Sequence, residues 1–247
     1  MVLTLDRRKK DGRRPPRPAR AEEQYGRSLR ALARQVGELI NAFPAGDPQA
    51  LPTIEDMLRR YAEALTPWAL GVAERMLLDV NARDLANWRA LTAEMQTEIR
   101  REILEAPTGE RTKELLAQQV TLIKSLPLEA AQRVHELTIR GLEDGTRAKE
   151  IAAEIMRSGE VAESRAMLIA RTEVARSSSV LTQARAENAG STGYIWRTAR
   201  DGDVRPSHKA MNGRFVRWGE PPTLDNLRGH AGCLPNCRCY AEPVIPD

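Results

Sequence analysis

Ala189-Gly190-Ser191-Thr192-Gly193-Tyr194-Ile195-Trp196-Arg197-Thr198 is the stretch on which the fold turns. Upstream of it a long helix is predicted from about Val161 to Asn188, with Gly190 as its terminator. Beyond Gly193 the three-to-four-residue period stops. Tyr194 to Thr198 reads as a strand bounded by Gly193 and the Asp201-Gly202-Asp203 turn. Asn212-Gly213 before Arg214-Phe215-Val216 predicts a hairpin-type turn into a second short strand, and Cys237 to Val244 alternates enough to be a third. A short antiparallel sheet beside a long helix is the expected C-terminal module.

Working back from there, residues 21–143 are helical in pattern. Ile54, Leu58, Tyr61, Leu65, Trp68, Val72 and Met76 recur every three or four positions and form one apolar stripe. Leu85, Trp88, Leu91, Met95, Ile99 and Ile103 form a second, and Leu115, Leu116, Val120 and Ile123 a third. Pro67 kinks or restarts the first helix, with Thr66 as its cap. Breaks are expected at Phe43 to Pro48, at Ala106 to Gly109 and at Leu126-Pro127. Tyr61, Trp68 and Trp88 are read as core residues. A helix from Leu128 to Leu142 follows, and Thr146 caps a short helix with Ile151 and Ile155 that stops at Ser158-Gly159. The fold class is therefore α+β, predominantly helical: an N-terminal bundle-like region, then a small module of one long helix and a short sheet. The expected organisation is a basic arm over residues 1–20, a variable helical region over 21–126 and a C-terminal domain over 127–247.

Composition agrees with this. Of the 247 residues 41% are apolar and 29% charged, enough for a core, while aromatics at 4% are too few for a β-sandwich or barrel. No apolar run approaches the roughly 18 residues of a spanning helix, and Met1 to Leu5 runs at once into charge, so neither membrane nor secretory signal is expected. Charge is unevenly placed. Arg7, Arg8, Lys9, Lys10, Arg13, Arg14, Arg17 and Arg20 stand against Asp6 and Asp11, so residues 1–20 carry +6 and the remainder −2 of the total +4. With three prolines and no apolar period this stretch reads as an extended, disordered arm. It suits nucleic acid or an acidic protein surface, or it is a solvated terminus.

The chemistry concentrates near the C-terminus. Cys233, Cys237 and Cys239 are an odd count within seven residues, which fits a reducing compartment and no disulfide framework. With His208 they offer three thiolates and an imidazole, the donor set of a closed structural zinc site that would staple a module with little core. The spacing is unusual, because Cys-x-Cys is tight for one ion, and reduced, partly buried cysteines are the alternative reading. Asp201, Asp203, His208 and Asp225 are a faint version of the carboxylate–histidine cluster of a metal-dependent nuclease. No catalytic set is assigned. On the long helix Glu173 and Arg176 are three apart and can pair, worth about 0.2–0.5 kcal/mol on an exposed face.

Arg171-Thr172-Glu173, Gly193-x-x-Trp196, Asp203-x-Arg205-Pro206-Ser207-His208-x-x-x-Asn212-Gly213, Pro221-Pro222 and Asn236-Cys237-Arg238-Cys239 follow one another in that order. This succession resembles the C-terminal domain of the Mu F-like minor head proteins, or head morphogenesis proteins, of tailed bacteriophages, over about residues 128–245. Leu224 to Cys233 departs from the pattern, so His230 and Cys233 are not carried over. The resemblance implies a minor structural protein of the virion head, present in few copies. Such a protein associates with the portal protein and other head proteins, acts in procapsid assembly in the host cytoplasm, and contacts DNA or influences its packaging and delivery. It also implies that Arg171, Glu173, Asp203, Arg205, His208, Asn212, Cys237, Arg238 and Cys239 fix the module's fold and do not catalyse a reaction. Mu F-like domains also resemble parts of polymorphic toxin systems, which keeps a toxin-like or nuclease module as an alternative, beside a DNA-binding protein acting through the arm.

Overall fold

The computed structural model describes residues 3–4, 18–44, 47, 49–92, 97–143, 148–199 and 202–246. Helix dominates, at 70%, as the apolar stripes predict. In chain order the elements are β1 (Leu3–Thr4), α1 (Ala19–Asn41), α2 (Leu51–Ala64), α3 (Thr66–Leu91), α4 (Thr97–Leu104), α5 (Gly109–Glu143), α6 (Ala148–Met156) and α7 (Ser158–Asn188). They continue with β2 (Gly193–Arg197), α8 (Pro206–Met211), β3 (Phe215–Arg217), β4 (Thr223–Leu224), β5 (Leu227–Arg228) and β6 (Tyr240–Ile245). Among the described residues no helix is long and apolar enough to cross a membrane. The expected 1–20 arm has Leu3–Thr4 in β1 and Ala19–Arg20 in α1, while Arg7, Arg8, Lys9, Lys10, Arg13, Arg14 and Arg17 lie outside the described residues, as does Thr146.

Two compact units form from interleaved stretches of chain: residues 1–22, 76–115 and 171–247 in one, 23–75 and 116–170 in the other. The second is all helix. Tyr25, Leu29, Leu32, Val36 and Ile40 line α1, and Ile54 and Leu58 line α2, all buried at helical spacing. Gly37 and Gly159 face each other so closely that a Cβ on either would stand 3.0 Å from the other's Cα, which lets α1 and α7 approach backbone to backbone.

Three sequence expectations are corrected here. Pro127 sits inside an unbroken α5, not at a break. Ile123, Leu126, Ala130 and Val134 are buried on either side of it, and that burial offsets the roughly 3 kcal/mol an internal proline costs. Trp68 is 39% exposed and not core. The buried stripe runs without a change of phase through Leu58, Ala62, Leu65, Ala69, Val72, Met76 and Val80, so the small Ala69 takes the core position and Trp68 falls one place off it. Thr66 does not cap forward; its hydroxyl donates back to the Glu63 carbonyl at 2.9 Å. Trp88 is buried as expected, while Tyr61 is half-buried and donates to Gln35 Oε1 at 2.6 Å.

The first unit holds the sheet, in the antiparallel order β1-β6-β2-β3, and a separate β4–β5 hairpin. Gly193 opposes Arg217 and Tyr194 opposes Val216 on β3; on the other side Gly193 opposes Val244 and Arg197 opposes Tyr240 of β6. Gly193 admits no side chain, because a Cβ there would lie 2.4 Å from the Val216 carbonyl oxygen. Trp88, Ile103, Tyr194, Trp196, Val216 and Trp218 make the core under the sheet, with Cys237 and Cys239 among them. Asn212-Gly213 is not a strand-to-strand hairpin turn. Asn212 at φ −58° and ψ 122°, Gly213 at φ 86° and the Arg214 N–H to Met211 carbonyl bond of 2.9 Å make a type II turn that carries the chain from α8 into β3. The hairpin turn proper is Asp225-Asn226, both left-handed at φ 52° and 63°, inside the stretch that departs from the family pattern.

Candidate metal centre

His208 is presented by α8, whose first turn starts at Pro206, and is 2% exposed. Cys237 and Cys239 come from the turn before β6. Two residues apart on extended backbone, they share one face. Just before them Asn236 takes a left-handed φ of 55° and the Cys237 N–H donates to the Leu234 carbonyl at 2.9 Å, a turn that leads into the pair, and both sulfurs face one imidazole. His208 Nδ1 lies 3.4 Å from Cys237 Sγ and 3.5 Å from Cys239 Sγ. All three donor atoms stand within 4.8 Å of one another, in residues that are all buried. Trp196 packs against the imidazole edge to face, with ring centres 5.7 Å apart. The Cys239 side chain, bonded to Cys237, lowers the latter's pKa, with backbone N–H groups of Cys239 and Gly232 and the charge of His208 adding to it against burial. Cys239 is pushed up by the same bond and by burial.

Cys233 is not in this group. It is half-buried, and burial raises its pKa against a hydrogen bond from Ser179. His230 also stands elsewhere: its Nδ1 is 3.2 Å from the Tyr194 hydroxyl, which accepts from the Ala231 N–H at 3.1 Å.

The other motif residues surround the cluster. Arg171 pairs with Glu22 at 3.5 Å, and Arg238 with Asp203 at 3.0 Å. Arg205 donates to the Pro235 carbonyl and lies 3.8 Å from Asp225 Oδ2. Together with His208, Cys237 and Cys239 these arginines line a cavity of about 470 Å³. Glu173, 9% exposed, accepts from Arg176 Nε at 2.9 Å, so the pair is partly buried and not a solvated one. Asn212 Oδ1 accepts from the backbone N–H and the hydroxyl of Thr198, at 3.1 and 3.3 Å. The Asn236 N–H donates to Thr172 Oγ1 at 3.1 Å. Of the faint carboxylate set, Asp203 is turned to Arg238, Asp225 lies beside His208, and Asp201 is outside the described residues. Arg20 opens α1 and is exposed.

One polar centre escapes a reading by periodicity. Arg185, 3% exposed, donates to Asp84 Oδ2 at 2.8 Å, to Asn81 Oδ1 at 2.9 Å and to the Ile103 carbonyl at 3.4 Å, while Thr182 donates to Asp84 at 2.7 Å. These bonds tie α3, α4 and α7 together. Burial raises the Asp84 pKa, and Thr182 and Arg185 oppose it. The sole signal in the sequence is that Arg185 follows the buried Leu181 by four positions; its partner lies a hundred residues away.

Residues 132–242 match the family model described as Phage Mu protein F like protein, which covers the whole of this cluster. No curated protein and no solved structure matches the chain.

Proposed function

We propose, from a C-terminal half of the phage Mu F-like, head-morphogenesis type, that this chain is a minor structural protein of a tailed-phage head. It associates with the portal vertex, acts during procapsid assembly and takes part in DNA packaging or delivery. One observation carries the reading: the motif side chains are bonded to the module's own backbone and side chains. Asn212 fastens Thr198, Arg205 reaches the Pro235 carbonyl, Arg238 pairs with Asp203, and Glu173 is bonded to its own helix. Side chains committed to such bonds brace a module, as an assembly protein requires, and are poorly placed to handle a substrate. The basic run from Arg7 to Arg20 supplies the contact with DNA or an acidic head protein.

Co-expression with its phage's portal and major capsid proteins tests this. Gradient-purified procapsids are expected to carry a few copies per particle, by quantitative mass spectrometry, and to lose them when the portal is omitted. Procapsids devoid of the protein, or loading that ignores the portal, would sink the portal reading. Removing residues 1–20 is expected to weaken DNA retention by purified protein and to flatten its salt dependence.

A further inference from the structure

We infer that His208, Cys237 and Cys239 hold a zinc ion through three protein ligands, with Asp225 orienting His208 and the fourth position open to the arginine-lined cavity. This differs from the closed four-ligand staple that the cysteine count suggests, because the third sulfur, Cys233, stands outside the cluster.

The distances fit the ion. With Zn–S near 2.3 Å and Zn–N near 2.0–2.1 Å, a tetrahedral centre has sulfur–nitrogen edges of about 3.5 Å. The two edges here are 3.4 and 3.5 Å. One imidazole nitrogen cannot serve both thiols as a hydrogen-bond partner at the same time, whereas a shared cation engages all three donor atoms at once. Two thiolates with one imidazole are soft enough to favour zinc over magnesium or calcium.

The far side of the imidazole is the second observation. His208 Nε2 is buried and has no hydrogen-bond partner among the described residues, which is costly unless something compensates it. Asp225 Oδ2 lies 4.0 Å from it, on a half-exposed side chain held by the Ser207 hydroxyl at 2.9 Å. A small swing brings the carboxylate onto Nε2–H. That bond fixes the tautomer leaving Nδ1 free for metal, the carboxylate–histidine–metal arrangement of zinc proteins. Asp225 sits across the ring from the sulfurs, so it orients the ligand and does not become one. Since all three donors line the cavity, the fourth ligand enters from that side as water or a small anion.

The full chain, purified under reducing conditions and dialysed against zinc sulfate, is expected to hold one zinc by native mass spectrometry; a zinc-free chain overturns the proposal. In chelator competition Cys237→Ser and Cys239→Ser are expected to abolish binding and Cys233→Ser to leave it unchanged. Loss of zinc with Cys233→Ser overturns the ligand set. Should Cys239→Ser fail to fold, cobalt(II) in the unaltered chain decides. Tetrahedral visible bands with thiolate charge-transfer intensity for two sulfurs support the site; intensity for three, or a six-coordinate spectrum, overturns it. Asp225→Asn is expected to weaken zinc about 10–100-fold while keeping the two-thiolate cobalt spectrum; unchanged affinity removes Asp225 from the site. Thiocyanate is expected to shift the cobalt bands, and no shift would close the fourth position.

Discussion

The two units differ in where they keep their charges. In the all-helical unit the ion pairs are on the surface: Arg34–Glu163, Arg165–Glu129 and Arg60–Asp56 all leave at least a third of each side chain in water. Its interior is mostly Leu, Ile, Val and Ala, with uncharged polar groups such as Tyr25, whose hydroxyl donates to Gln119 Oε1 at 2.9 Å. In the unit that carries the sheet, Arg185 and Asp84 pair at 2.8 Å with only 3% and 4% of their side chains exposed, and a buried histidine and two buried thiols stand together. Screened pairs add little, so the all-helical unit stands mainly on apolar burial. Buried pairs are unforgiving when one member is removed, so the sheet-bearing unit depends on single polar residues. Charge is decoration in one and framework in the other.

Four measurements put that contrast at risk. Arg185→Ala leaves Asp84 charged, buried and unpaired, and is expected to cost about 4 kcal/mol in denaturant unfolding. A loss under 1 kcal/mol would show the pair to be no more than a surface contact. Leu58, fully buried in α2, has no polar role; Leu58→Ala is expected to cost about 3 kcal/mol through lost transfer energy and the cavity left behind.

A smaller effect belongs to His230. Burial, with Arg228 beside it, lowers its pKa below the ordinary 6.5, against the Trp218 backbone bond and Glu187. The folded state therefore resists charging the imidazole. No penalty exists above pH 6.5, and stability falls as pH drops from there towards the depressed folded value. His230→Gln is expected to flatten the melting temperature between pH 7 and pH 5 relative to the unaltered chain; an identical slope would acquit His230. The smallest change is expected of Arg34→Ala, between about 0.2 and 1 kcal/mol and smaller still in high salt. A cost matching Leu58→Ala would erase the distinction between the units.

The same contrast governs what the sequence discloses. Periodicity finds the helices because an apolar stripe is a local pattern, and it goes astray only where local rules compete. Pro127 is overruled by burial on both sides of it, and Trp68 loses its place to the neighbouring Ala69, an apolar residue too small to stand out in the pattern. The strands at Gly193, Phe215 and Tyr240 are legible from the loss of that period and the glycines around it. Pairings across long stretches of chain leave no such trace. Nothing near Arg185 points to Asp84, and the count of three cysteines says nothing about which two share a histidine. Cys237 and Cys239, two apart, share one face of extended backbone, whereas the histidine they meet is some thirty residues away and shows only in three dimensions. Asp225-Asn226 was open to a turn reading on residue type, but it lies where the family pattern breaks off.

The strand order carries a consequence for synthesis. β6 lies between β1 and β2 and is the last element of the chain, so the ribosome delivers the middle of the sheet after both of its neighbours. Leu3 and Thr4 wait for Ile245 and Val244 while some 240 intervening residues emerge. Helices with local contacts have by then had time to form, and β2 can pair with β3, whereas β1 and the other edge of β2 still lack their partner strand. Cys237 and Cys239 arrive only just ahead of β6, so the cysteine–histidine cluster cannot be complete before the chain has reached the doorstep of the sheet's inner strand.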